Sequence, residues 1–173
     1  VHKDKKGYEW ILTDRGTFVY GHPEIRTKVE LRYIKEVDKN TFFITQKGEL
    51  YAFTPQIGIQ SVSNPFLMKE VSGLVTIKTG RLLIPDQEKI IVYDTRKKSF
   101  EQLYKQATTV PLHITGAFHS KQDQIWMLDG QRVLCYSFTD RKMTVFRENL
   151  SGEDTFRHIH EDEFGGIWLM TRD

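Results

Sequence analysis

Short runs of large apolar residues, each followed by a polar turn and a second apolar run, recur along the chain. The first is Trp10-Ile11-Leu12-Thr13, with a turn at Asp14-Arg15-Gly16 and a return through Thr17-Phe18-Val19-Tyr20. The second, Phe42-Phe43-Ile44-Thr45, Gln46-Lys47-Gly48 and Glu49-Leu50-Tyr51-Ala52-Phe53, aligns with it without a gap. A third runs Leu82-Leu83-Ile84-Pro85, turns through Asp86 to Lys89, and returns as Ile90-Ile91-Val92-Tyr93. A fourth is Trp126-Met127-Leu128, Asp129-Gly130-Gln131 and Val133-Leu134-Cys135-Tyr136, and a fifth begins at Trp168-Leu169-Met170-Thr171. The leading residues Trp10, Phe42, Leu82, Trp126 and Trp168 recur about every 40 residues, the length of one four-stranded propeller blade.

Each period holds material for two more strands. A charged turn and a β-prone piece follow the hairpin, as in Asp94-Thr95-Arg96-Lys97-Lys98-Ser99-Phe100 and Thr139-Asp140-Arg141-Lys142-Met143-Thr144-Val145-Phe146, which predicts an outer strand. A less regular apolar piece precedes each leading residue, such as Gly73-Leu74-Val75-Thr76-Ile77 or Arg157-His158-Ile159-His160, suited to an inner strand. No helical period is sustained, and β-branched and aromatic residues fill the repeating positions. The pattern predicts an all-β fold, a β-propeller of about four four-stranded antiparallel blades. The blades fall at 1–34, 35–72, 73–112 and 113–156, and the next begins at 157–173. Because both ends carry the same leading strand, the expectation is a part of a larger propeller.

One four-stranded sheet leaves both faces apolar and its edges open, and stacking sheets around an axis buries the faces. Trp10, Phe42, Trp126 and Trp168 are therefore expected to pack between blades. Cys135, in Val133-Leu134-Cys135-Tyr136, reads as a buried small side chain, and a single cysteine excludes an internal disulfide.

Composition narrows the class. The 173 residues are 39% apolar and 12% aromatic, enough for a core, and 25 Lys and Arg are interspersed with 23 Asp and Glu. Scattered charge of both signs argues against nucleic acid as a partner. The apolar runs are far shorter than the roughly 20 residues that cross a bilayer, and Val1 to Tyr8 is too charged for a signal peptide.

A second pattern overlies the repeats. Asp4, Gly7, Trp10 and Thr13 have the same spacing as Asp162, Gly165, Trp168 and Thr171, and Lys121-Gln122-Asp123-Gln124-Ile125-Trp126 keeps the tryptophan without the glycine. An acid three residues before a glycine describes a tight turn in which the carboxylate accepts backbone N–H groups and glycine takes a positive φ. This is scaffold chemistry. A calcium loop would need further carboxylates, whereas Glu161, Asp162 and Glu163 are followed by Phe164 and Gly165.

His158 and His160 share one side of a strand and, with Glu161 or Asp162, could contribute to a metal site, but no third ligand is identifiable. His2, His22, His113 and His119 show no useful spacing. There is no Gly-x-Ser-x-Gly elbow and no phosphate-cradling glycine loop. The sequence thus indicates no catalytic residue, no metal site and no cofactor, and it designates no ligand-contacting residue.

The segment His160 to Thr171, with its counterpart Asp4 to Thr13, resembles the two-component regulator propeller repeat of bacterial hybrid two-component sensor histidine kinases. The resemblance implies an extracytoplasmic sensor, the periplasmic portion of an inner-membrane protein, responding to a small carbohydrate and acting in signal transduction. It implies as partners neighbouring propeller blades or a second sensor chain in a homodimer, with the membrane engaged only through the parent protein. Kinase activity would belong to that parent and not to this segment. The alternatives are a propeller enzyme of the lyase or glycosidase type and a protein-binding propeller scaffold.

Overall fold

The computed structural model describes residues 1–77, 80–105, 111–130, 132–148 and 156–171. Gln131, which the sequence pattern assigns to the fourth hairpin turn, lies outside them. The described residues contain strands and turns and no helix.

Four sheets are simple antiparallel meanders whose strands neighbour one another in chain order. The first comprises β1 (His2–Lys3), β2 (Glu9–Thr13), β3 (Gly16–Val19) and β4 (His22–Thr27). The second comprises β5 (Tyr33–Val37), β6 (Asn40–Ile44), β7 (Leu50–Thr54) and β8 (Gly58–Val62). The third comprises β9 (Val75–Ile77), β10 (Arg81–Pro85), β11 (Lys89–Asp94) and β12 (Ser99–Lys105). The fourth comprises β13 (Ile114–His119), β14 (Gln124–Asp129), β15 (Arg132–Ser137) and β16 (Lys142–Glu148). A fifth, of β17 (His158–Glu161) and β18 (Ile167–Met170), is two-stranded among the described residues.

Alternation along the second strand of each sheet distributes its side chains between two neighbours, since successive residues point to opposite faces. Phe43 packs with Trp10 and Val19 of the first sheet. Phe42 and Ile44 pack instead with Leu82, Ile84 and Ile91 of the third. Leu83 and Ile90 meet Ile125, Met127 and Leu134 of the fourth, whereas Trp126, Leu128 and Val133 meet Ile159, Ile167 and Leu169 of the fifth. Second strands buried on both faces are continuous apolar runs, and each fully buried Leu or Ile contributes about 1.5–3 kcal/mol. The outer strands β4 and β12 are mostly polar and exposed, which guards the open edges. In both β11–β12 and β15–β16 the register shifts near the start of the third strand, at Ile90/Ile91 and Val133/Leu134, and such bulges raise local twist.

Two expectations are corrected. The residue equivalent to Trp10, Phe42 and Trp126, all facing the following sheet, is Leu83 and not Leu82, which faces the preceding one. The run Leu82-Leu83-Ile84 is apolar at every position and carries no parity, and a one-residue slip exchanges the two faces. Trp168, expected to pack between blades, is 61% exposed. It occupies the same outward-facing position as Trp126, but no described sheet packs over it.

Candidate functional site

The repeated motif was the first candidate. In the first sheet, Asp4 Oδ1 accepts the backbone N–H groups of Lys6 at 3.0 Å and Tyr8 at 2.9 Å, while Oδ2 accepts the indole Nε1–H of Trp10 at 2.8 Å. In the fifth, Asp162 Oδ1 accepts Phe164 N–H at 2.9 Å and Gly166 N–H at 2.8 Å, and Oδ2 accepts Trp168 Nε1–H at 2.6 Å. Gly7 and Gly165 take φ of 90° and 86°, a conformation that side chains with a Cβ rarely adopt. The turn chemistry is as the spacing predicts. The indole bond is new: the tryptophan is tied to the acid that shapes the turn before it. That bond and then the Gly166 N–H hold the Asp162 carboxyl below its usual range.

The altered copy shows what the motif supplies. Ser120 stands where the acid would be, its Oγ accepting Gln124 N–H at 3.2 Å, and Asp123 takes the positive φ of 58° in place of glycine. Serine is too short to reach the indole, and Trp126 Nε1 is buried without a hydrogen-bond partner. These turns are scaffold, and they also join sheets. Lys5 N–H donates to Glu36 Oε1 at 2.8 Å, and Lys121 N–H donates to Glu161 Oε2 at 3.0 Å, in both cases from the turn of one sheet to the inner strand of the next.

The opposite end of the sheets presents a different assembly. There the turns between second and third strands meet the segments that enter each inner strand. Val71 N–H donates to Gln46 C=O and Leu112 N–H to Gln87 C=O, both at 2.8 Å, so the second sheet's turn holds the entry to the third and the third's holds the entry to the fourth. Asp86, fully buried, accepts N–H groups from Lys69 at 3.1 Å, Glu88 at 2.7 Å and Lys89 at 2.9 Å. Asp129 accepts His113 N–H at 2.6 Å and pairs with Arg132.

Glu70 lies at the centre of this end. Its Oε1 accepts Gln46 Nε2–H at 2.7 Å and its Oε2 accepts Gln87 Nε2–H at 2.6 Å, so one carboxylate spans equivalent turns of adjacent sheets. Lys69 pairs with Glu88 beside it. Their hydrogen bond raises the Lys69 ammonium above its usual range and lowers Glu88. Glu70 lines two clefts. One, of about 420 Å³, is formed with Glu30, Gln46, Lys47, Glu49 and Lys69. The other, of about 160 Å³, is formed with Tyr33, Ser72, Gln87 and His113. Carboxylate, amide and ammonium groups line the first cleft, and carboxylate, amide and hydroxyl groups line the second beside the Tyr33 ring; such polar sets can bind a ligand rich in hydroxyl groups.

Sequence reasoning did not find this site. Gln46 and Gln87 each follow the buried residue just past the second strand, Thr45 or Asp86, and aligning the hairpins on that position would have paired them. His158 and His160 stand exposed on their strand, opposite Met170 and Trp168. No group of three metal-ligating side chains is found among the described residues. Cys135 is buried, which pushes its thiol pKa up.

Stacked four-stranded antiparallel meanders, coupled turn to turn, define an all-β fold of the β-propeller type. No family model matches the chain, and no curated protein matches it. Among solved structures, it is similar to the extracellular domain of a protein described as a hybrid two-component system from B. thetaiotaomicron. That match has 16% identity and a TM-score of 0.66, covering 97% of this chain and 26% of the other. A second such domain from the same organism matches with 12% identity and a TM-score of 0.68, covering 95% of this chain and 23% of the other. Virginiamycin B lyase from Staphylococcus aureus matches with 11% identity and a TM-score of 0.68, covering 98% of this chain and 68% of the other. The chain thus spans about a quarter of the two extracellular domains, and what it shares with all three is the fold.

Proposed function

We propose that this chain is a portion of the extracytoplasmic sensor region of a hybrid two-component histidine kinase, periplasmic in location, and that it binds a small carbohydrate at the end of the sheets around Glu70. Two independent lines support the reading: the Asp4 to Thr13 and Asp162 to Thr171 motifs, and the fold shared with extracellular domains of such systems. The observation that carries it is the pair of hydrogen bonds that the Gln46 and Gln87 amides donate to the two oxygens of Glu70. A ligand that draws one amide away from Glu70 changes how two sheets are held together. Binding at that point is therefore linked to sheet packing, which is the differential contact a population shift requires. Phosphotransfer belongs to other domains of such a protein, and a second sensor chain is the partner through which a packing change would be relayed.

Similarity to a lyase raises the alternative of catalysis. A general acid would need a carboxyl with a raised pKa, whereas among the described residues the shifted carboxyls, Glu24, Glu88, Asp94 and Asp162, are all lowered. The test is a thermal-shift screen of the chain and its Glu70→Gln variant against oligosaccharides. Stabilisation of the chain by one of them, lost in the variant, is the expected result. Stabilisation that survives Glu70→Gln, or none with any oligosaccharide, contradicts the reading.

A further inference from the structure

In each meander the turn between the third and fourth strands lies at the same end as the turn between the first and second. Contacts between sheets show that these ends coincide. Asp38, in the β5–β6 turn, pairs with Arg96 of the β11–β12 turn at 3.4 Å, and the Arg81 guanidinium lies 5.5 Å from the ring of Phe138. The outer hairpins of the four complete sheets therefore form one row, at the end opposite Glu70.

The side chains of that row have a distinct chemistry. Tyr20 and Ile57, at the first two turns, are 68% and 63% exposed. The next two turns carry Arg96, Lys97, Lys98 and Arg141, and Lys142 opens the strand after the second of them, all exposed. The backbones beneath are fixed. Asp94 Oδ1 accepts the N–H groups of Arg96 at 3.0 Å and Lys97 at 2.9 Å, and Ser137 Oγ accepts that of Asp140 at 3.2 Å. Lys98 and Arg141 occupy equivalent positions with φ of 52° and 53°, where glycine or asparagine is the easier choice. Arg141 reaches Glu101 of the neighbouring hairpin at 3.9 Å. The nearby acids Asp38, Asp140 and Glu101 leave Lys97, Lys98 and Lys142 without an ion pair among the described residues.

We propose that this row of turns rests on an anionic lipid surface, with the cations meeting headgroups and Tyr20 and Ile57 entering the interfacial layer. Cations on separate convex tips suit a spread array of negative charge better than one small anion in a cleft. An exposed aromatic and an exposed aliphatic tip in the same row have a use at a bilayer interface, and none against a soluble polyanion held by charge alone. The charges look scattered in sequence and converge because every outer hairpin turns the same way.

The test is co-sedimentation of the chain with vesicles of phosphatidylcholine, alone or mixed with phosphatidylglycerol. Binding is expected only to the mixed vesicles and to be lost as salt rises from about 0.05 M to about 0.5 M. The Lys97→Glu/Lys98→Glu pair should lower it at least about tenfold. Tyr20→Ser/Ile57→Ser should weaken binding while keeping its salt dependence. Arg15→Glu/Lys28→Glu, at the other end, should leave it unchanged, with circular dichroism verifying that each variant is folded. No binding to the mixed vesicles, equal binding to neutral ones, or equal loss in the Arg15/Lys28 variant overturns the proposal. So does capture by soluble dextran sulfate with vesicle binding indifferent to Tyr20 and Ile57.

Discussion

The indole Nε1–H of Trp10 donates to Asp4 Oδ2 at 2.8 Å inside the first sheet, six residues after the acid in sequence, while Asp4 Oδ1 holds the turn between them. One buried carboxylate thus fixes a turn, orients the largest residue of the sheet and, through Thr41 Oγ1 at 3.3 Å, touches the next sheet. Asp4→Ala leaves the indole N–H and two backbone N–H groups without acceptors and should destabilise the chain by about 2–4 kcal/mol. Asp4→Asn, which keeps one acceptor oxygen, should cost less. Urea unfolding of the three proteins reads both differences.

Ser120 offers the converse experiment. Trp126 Nε1 is buried with no partner, and Ser120 occupies the position of Asp4 and Asp162. Ser120→Asp should supply the missing acceptor and stabilise the chain by about 0.5–1.5 kcal/mol. A lower urea midpoint would mean that the serine turn cannot accommodate the carboxylate as its counterparts do.

Trp10 and Trp168 share a motif but not an environment, being 0% and 61% exposed. Trp10→Ala should cost about 3–5 kcal/mol through the cavity it leaves. Trp168→Ala should cost less than about 1 kcal/mol, as surface substitutions do. The ratio of the two, measured on the same chain, tests whether packing between sheets gives these residues their weight.

Asp94 makes the acid limb of stability testable. Its carboxyl is lowered chiefly by the Lys97 N–H, against desolvation, with further help from Arg96 N–H and the Arg81 side chain. A group lowered on folding contributes stability that is present above its unfolded value, here 3.8, and is lost as pH falls through the folded one. Asp94→Asn should therefore flatten the loss of stability as pH falls below about 4, measured as urea midpoints. Unchanged pH dependence in the variant would remove Asp94 from the account.

The sheets were legible in the sequence because hairpins buried on both faces leave a repeating apolar signature, but the gapless alignment of the first two hairpins does not hold: Trp10 pairs with Val19 and Phe42 with Ala52, so the second hairpin holds one more residue. The third hairpin was read one residue out of register because Leu82, Leu83 and Ile84 give alternation nothing to act on. The turn formed by Asp4 and Gly7 was readable from residue types alone. Its indole bond was not, since a tryptophan that packs and one that also donates look identical in sequence. The Glu70 assembly was invisible for a different reason. Gln46, Glu70 and Gln87 are ordinary polar residues of separate loops, and only the stacking of two sheets brings both amides within 2.7 Å of the Glu70 carboxylate.

Coupling between binding at Glu70 and sheet packing is read out by amide hydrogen exchange at Val71 and Leu112. Their N–H groups donate to Gln46 and Gln87, the residues whose side chains meet on Glu70. An oligosaccharide that stabilises the chain should change exchange at both amides together, and Glu70→Gln should abolish the response. Binding that leaves both amides unchanged and alters exchange elsewhere would contradict it.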